Sequence, residues 1–265
     1  MRGGAKRIGV PAIAIAVLLL ATSLAQAELT ARGDLFVKFS GGIEPKALPR
    51  ETRAPISVSV EGTVRTLSGE RPPALRQMSI AINRGGRLDT EGLPLCRQSQ
   101  IMPSSTEQAL ANCGPALVGR GTYTAAIAFP EQSSFPSQGR ILAFNSIVDG
   151  HRAILAHVYG NEPLPITRII VFRIRQRRGT YGTVLSGSLP ASENRYGYVK
   201  EISLSLHRDF TYRGRPHSYL SAACSAPPGF PGATFSFARA SMAFSDGRSL
   251  ASTLTRSCRV RGFSG

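Results

Sequence analysis

Three short stretches place an apolar residue at every second position with serine or alanine between: Ile56-Ser57-Val58-Ser59-Val60, Met78-Ser79-Ile80-Ala81-Ile82 and Ile202-Ser203-Leu204-Ser205-Leu206. Side chains of an extended chain alternate between two faces, so this pattern describes strands with one buried and one wetted face. Less regular apolar runs follow at 116–129, 166–176, 180–189, 217–224 and 235–244. Gly85-Gly86, Gly160-Asn161, Arg178-Gly179 and Pro-Gly clusters punctuate them as turns. Asp149-Gly150 joins 141–148 to 151–159, and Asp246-Gly247 joins 235–245 to 248–258. Each predicts a two-residue hairpin turn in which both central residues take positive φ. One helix stands out. Ser104-Ser105-Thr106-Glu107 has capping-box spacing, Gln108 to Asn112 continues it, and Gly114 can end it. About a dozen strands with one short helix near 105–112 give the expected fold class: all-β, an antiparallel β-sandwich.

The first 27 residues read differently. Arg2, Lys6 and Arg7 precede a short apolar run that is densest at 12–20, and Ala25-Gln26-Ala27 supplies small residues at a cleavage position. Charged start, apolar middle and small-x-small end are the parts of a secretory signal. A bilayer span needs roughly 20 apolar residues, so the run is short for a permanent anchor. The expected organisation is a signal peptide at 1–27, an N-terminal strand and Pro-rich linker at 28–54, and a β-sandwich domain at 55–262. The first strand falls at 35–39. Residues 41–55, with prolines at 45, 49 and 55, read as a linker or equally as an edge-hugging segment. Residues 256–262 carry no apolar tail, so a released or non-covalently held protein with no transmembrane segment after signal cleavage is expected.

Export makes the cysteines readable. Cys96, Cys113, Cys224 and Cys258 are an even set, for which three pairings are formally open. Sequence order favours Cys96–Cys113 and Cys224–Cys258. No Cys-x-x-Cys pair and no histidine near a cysteine occur, so neither a zinc site nor any other metal or cofactor is expected.

The whole chain has 32 Lys and Arg against 16 Asp and Glu, a formal charge of +16. Removing residues 1–27 takes away three bases, leaving 29 against 16 and a net +13. Such a charge favours polyanions: nucleic acid, anionic lipid or phosphate-rich wall polymers. The bland reading competes. Only Lys6, Lys38, Lys46 and Lys200 are lysine, and an Arg-, Ala-, Gly- and Pro-rich chain is what a GC-rich genome encodes.

The segments 92–96 (GLPLC), 108–119 (QALANCGPALVG), 142–159 (LAFNSIVDGHRAILAHVY) and 219–224 (YLSAAC) resemble a group of uncharacterised exported proteins of GC-rich actinobacteria. The similarity runs over most of the chain after residue 27. It implies secretion and a β-rich fold, and it carries no site residues.

Catalytic motifs are weak. There is no Gly-x-Ser-x-Gly elbow and no strand–helix alternation to hold one. His151 and His157 share a face of one strand but lie about 20 Å apart along it. His157, between Ala156 and Val158, reads as a hydrogen-bonded core or half-exposed side chain. The acids mostly occupy turns and caps, and Glu201 and Asp209 are too far apart on one strand for an acid/base pair. The basic residues carry more. Arg173, Arg175 and Arg177 alternate with Phe172, Ile174 and Gln176, which sets three guanidinium groups on one strand face at about 7 Å spacing, comparable with successive phosphates of an extended polymer. Arg208, Arg213, Arg215 and His217 are interleaved with Phe210, Tyr212 and Tyr219, a mixture that can hold phosphates while stacking on rings. Their bland counterpart is a solvated sheet face or a charged edge that deters unwanted pairing. The expected function is an exported non-catalytic protein of the envelope or extracellular space. Its expected partner is an anionic envelope polymer or glycan held by Arg173, Arg175, Arg177, Arg213 and Arg215, and not intracellular nucleic acid. A secreted hydrolase acting on a polysaccharide or ester, and a structural envelope component, are the alternatives. Oligomeric state is left open.

Overall fold

The structure, a computed structural model, describes residues 28–127, 129, 131–189 and 197–263. The expected signal at 1–27 lies outside the described residues. The chain begins β1 (Glu28–Arg32), β2 (Leu35–Glu44), β3 (Ala47–Leu48), β4 (Ala54–Pro55), β5 (Ser57–Thr66), β6 (Leu75–Asn83) and β7 (Gly86–Leu88). Helix α1 (Thr106–Cys113) precedes β8 (Leu117–Ile127), β9 (Phe135–Val148), β10 (His151–Gly160), β11 (Ile166–Gln176) and β12 (Tyr181–Ser188). There follow β13 (Gly197–Leu206), β14 (Asp209–Tyr212), β15 (Arg215–Ser218), β16 (Leu220–Ala222), β17 (Gly232–Phe244) and β18 (Ser249–Val260).

The fold is mostly strand with one short helix, as the alternation predicts. Its hydrogen bonding runs through one sheet of thirteen strands in the order β1-β2-β5-β13-β8-β9-β10-β11-β12-β6-β17-β18-β3. Neighbours are antiparallel except β18 with the two-residue β3. A twisted sheet this wide cannot stay flat. It curls until its first strands lie against β18, where Thr30 Oγ1 donates to the Ala251 carbonyl at 3.2 Å and Arg256 Nε to the Gly41 carbonyl at 2.6 Å. The concave face encloses one core. Val37 and Phe39 of β2, Ile154 of β10, Ile174 of β11, Leu185 of β12 and Leu254 of β18 belong to the same buried cluster. Tight curvature needs small inward residues. At the cross-strand pair Gly139–Gly160, a Cβ on Gly160 would meet the Tyr123 hydroxyl at 2.3 Å, so the tyrosine ring fills the space that these glycines leave.

On the convex face a buried apolar patch lies where α1 covers it. Leu142 and Phe144 of β9 and Leu155 of β10 pack against Ala109 and Cys113, with Ile169 and Val171 of β11 at the margin. The helix begins one residue later than the capping-box spacing suggests. Ser105, not Ser104, is the N-cap: its hydroxyl accepts from Gln108 N while Gln108 Oε1 accepts from Ser105 N. Ser104 is turned inward instead and bonds to β10 and β11. The cysteines pair Cys96–Cys113 and Cys224–Cys258, the arrangement that sequence order favoured.

By the antiparallel register, β2, β6, β11, β13 and β18 finish at the end of the sheet where β5, β8, β10, β12 and β17 start. Two small sheets, β14–β15 and β4–β16–β7, gather there, which we call the capped end. Ile56 N donates to the Leu220 carbonyl, His207 N to Val118, Ala223 N to Gly85 and Cys224 N to Pro49, tying the cap to the strand ends. Residues 41–55 therefore hug the sheet. Gly41 to Glu44 lie within β2, and β3 and β4 pair with β18 and β16.

The hairpin turns differ from each other. Asp149 and Gly150 both take positive φ, 50° and 74°, as a two-residue turn requires. In the other, Gly247 takes positive φ, 83°, and Asp246 does not. Asp246 Oδ1 accepts from Arg248 N, and Ser245 N donates to the Ala74 carbonyl, so side-chain and neighbouring-loop bonds widen that turn. The run 217–224, expected as one strand, is split at the fully buried Tyr219 between β15 and β16, in different sheets.

Candidate functional site

β11 positions the first arginine group. Ile174 is buried in the core, so Arg173 and Arg175 on either side face outward, and both are exposed. Arg177 follows just past the strand end, its N–H donating to the Gly182 carbonyl and holding the turn toward β12. Arg173 is ion-paired to Asp149 across the β9–β10 turn, with 44% and 70% of the two side chains exposed. A pair so wet contributes about 0–1 kcal/mol and leaves the guanidinium available to exchange partners. Arg175 and Arg177 form no ion pair with the described residues.

The second group sits on a hairpin that the alternation did not reveal. β14 and β15 are joined by Arg213-Gly214 with φ of 51° and 73°, the geometry of a two-residue turn. An arginine at positive φ is uncommon, and it puts the Arg213 guanidinium 5.0 Å from the centre of the Tyr212 ring. Arg213-Gly214 was the one signal in the sequence for this hairpin. Phe210 stacks on His217 at 5.5 Å, and His217 Nδ1 lies 3.7 Å from Asp89. Tyr212 packs over Gly92, where a Cβ would come within 2.2 Å of its ring. Arg213 and Arg215 are exposed and form no ion pair with the described residues. The two groups thus reach the same end of the sheet on separate elements, one on the convex wall and one on the cap.

At the same end of the sheet the structure gathers residues that sequence patterning missed. A cleft of about 530 Å³ is lined by Glu51, Arg53, Asn83, Arg84, Gly85, Thr180, Ala223, Ser225 and Phe235. Its walls come from five separate segments. Arg84 N donates to the Thr180 carbonyl, which joins the cleft to the β11–β12 turn that carries Arg177. Asn83 Nδ2 donates to the Ser236 carbonyl at 2.8 Å and Asn83 Oδ1 accepts from Gly85 N at 2.9 Å, so the turn bearing Arg84 is fixed. Ala223 and Ser225 flank the disulfide cysteine Cys224.

His157 has a different role. It is fully buried, and its Nε2 lies 3.1 Å from the Ser104 carbonyl and 3.2 Å from the Ser104 hydroxyl. A carbonyl can only accept, so Nε2 carries the proton, and the Ser104 hydroxyl donates to the Ile101 carbonyl at 2.8 Å. With both protons committed to carbonyls, this serine–histidine pair is a polar lock under the loop that precedes α1, not a base activating a nucleophile. Burial lowers the His157 pKa, which keeps the ring neutral near pH 7. Glu201 lies in β13 and Asp209 opens β14, where it approaches His207 at 3.4 Å. Among the described residues no group of three His, Cys, Asp or Glu could hold a metal ion, and no helix is long and apolar enough to cross a membrane.

No protein family, no curated protein and no solved structure matches this chain.

Proposed function

We propose that this is an exported, non-catalytic β protein of the cell envelope or extracellular space that binds an anionic polymer or glycan with its capped end. In this reading the two halves of the curled sheet face each other across the core as a sandwich, and the cap closes one end. The observation that carries it is the gathering of exposed arginines from separate stretches, Arg175, Arg177, Arg213 and Arg215, around one end of the sheet without ion pairs among the described residues. Clustered guanidinium groups raise the local concentration of a polyanion and can bind its phosphates or sulfates bidentately. The two disulfides support an oxidising compartment, and the charged start, apolar run and small-x-small end of residues 1–27 support export. The test is retention on a polyphosphate column over a salt gradient. Replacing Arg173, Arg175 and Arg177 with serine should bring elution to markedly lower salt, because each lost ionic contact removes counterion release. Unchanged elution overturns the arginine face.

A further inference from the structure

We infer that the cleft between Arg53, Arg84 and Phe235 holds one glycosyl phosphate unit of that polymer, an inference resting on the reading that the capped end binds an anionic chain. The cleft, about 530 Å³ and open to solvent, has room for more than a bare anion. Arg53 and Arg84 are exposed on its walls and form no ion pair with the described residues. Two guanidinium groups in one cleft select a phosphate or sulfate, which they can grip through paired N–H donors. The single acid on the wall, Glu51, constrains the rest of the ligand. A carboxylate repels a second anionic group and accepts from hydroxyl or amine donors, so it favours a ligand that pairs one anionic head with donor groups. The hydroxyls of Thr180 and Ser225 and the half-buried ring of Phe235 extend the same preference, since a sugar offers both hydroxyls and an apolar C–H face.

The frame is organised before any ligand arrives. The Asn83 bonds, the Arg84 N–Thr180 O bond and the Cys224–Cys258 bridge fix the backbone around positions 83–85, 180 and 224, so ordering on binding falls mainly on the exposed arginine side chains. The β11–β12 turn runs from Arg177 to Thr180, and this gives the arginine strip a route into the cleft. A chain lying along Arg173, Arg175 and Arg177 would be led there, with one repeat seated beyond the turn.

The experiment follows amide shifts of the purified protein by NMR during titration with an α-glycosyl phosphate, inorganic phosphate and a three-repeat glycosyl phosphate oligomer. The sugar phosphate should saturate with shifts at Arg84, Gly85 and Thr180, at least five-fold tighter than inorganic phosphate. The Arg53→Ser/Arg84→Ser pair should weaken it at least ten-fold, and Phe235→Leu should abolish the preference over inorganic phosphate. The oligomer should bind more tightly than the monomer, with that gain lost in Arg173→Ser/Arg175→Ser. Both cleft arginines are exposed, and an unchanged spectrum elsewhere verifies that each variant is folded. Absence of saturable sugar phosphate binding, with polyphosphate retention intact, overturns the cleft and leaves the polymer reading standing. Equal affinity for inorganic phosphate overturns the sugar, and equal affinity for monomer and oligomer overturns the polymer-borne unit. Loss of column retention by the wild-type protein itself removes the polymer reading, and the inference with it.

Discussion

The outward face of β11 changes character partway along one strand. Ile169 and Val171 lie at the edge of the helix-covered patch with Phe144 and Leu155, whereas Arg173 and Arg175 continue the same face uncovered. Inward residues Phe172 and Ile174 serve the core on both sides of that change. The strand is therefore apolar on both faces where both are covered and alternating where one meets water. Chemistry on the convex face follows what lies over it, and the arginines occupy the part of the wall that the fold leaves bare.

The largest expected effect sharpens that contrast. Phe144 is fully buried beneath α1, and Phe144→Ala should cost about 3–5 kcal/mol by transfer and cavity terms. Arg175→Ala, on the bare stretch, should stay within about 0.5 kcal/mol of the parent. Urea denaturation of both variants measures the difference, and comparable losses would break the comparison. Next comes the staple on the covered side. Replacing Cys96 and Cys113 with serine reopens a loop with 17 residues of sequence separation and should cost about 3 kcal/mol. Near-parental stability in that variant would mean that apolar burial holds the helix in place without help from the bridge.

The smallest effect is a pH dependence. Burial depresses the His157 pKa below its ordinary 6.5. The unfolded chain therefore takes up a proton at a higher pH than the folded one. Stability should be constant above about pH 6.5, then fall as pH drops below that value and through the folded-state pKa. His157→Gln should flatten this slope, with denaturation midpoints between pH 7.5 and 5 as the readout. A slope unchanged in the variant would place the acid sensitivity elsewhere in the molecule.

Much of the local structure was legible because it depends on near neighbours. The Ser-Val alternation of β5 and the Asp149-Gly150 turn follow from side-chain geometry and backbone torsions that neighbouring residues determine. Even the helix could be placed to within one residue. What could not be read was whatever depended on distant segments. Asp246-Gly247 resembles Asp149-Gly150 in sequence, yet Asp246 does not take positive φ, and the preceding Ser245 N donates to the Ala74 carbonyl of a distant loop. Tyr219 splits the run 217–224 because its two flanks pair in different small sheets.

The candidate site divides in the same way. Alternation alone put Arg173 and Arg175 on one face of a strand, and the order of the cysteines in an even set favoured the pairing observed. Tertiary structure alone curled the strands into one sheet, carried Arg213 to the tip of a capping hairpin and gathered Glu51, Arg53, Arg84, Thr180 and Phe235 around one cleft. The reason is range. Strand periodicity and turn torsion are set within a few residues, whereas a cleft built from positions 51 to 235 exists only after sheet closure brings those segments together.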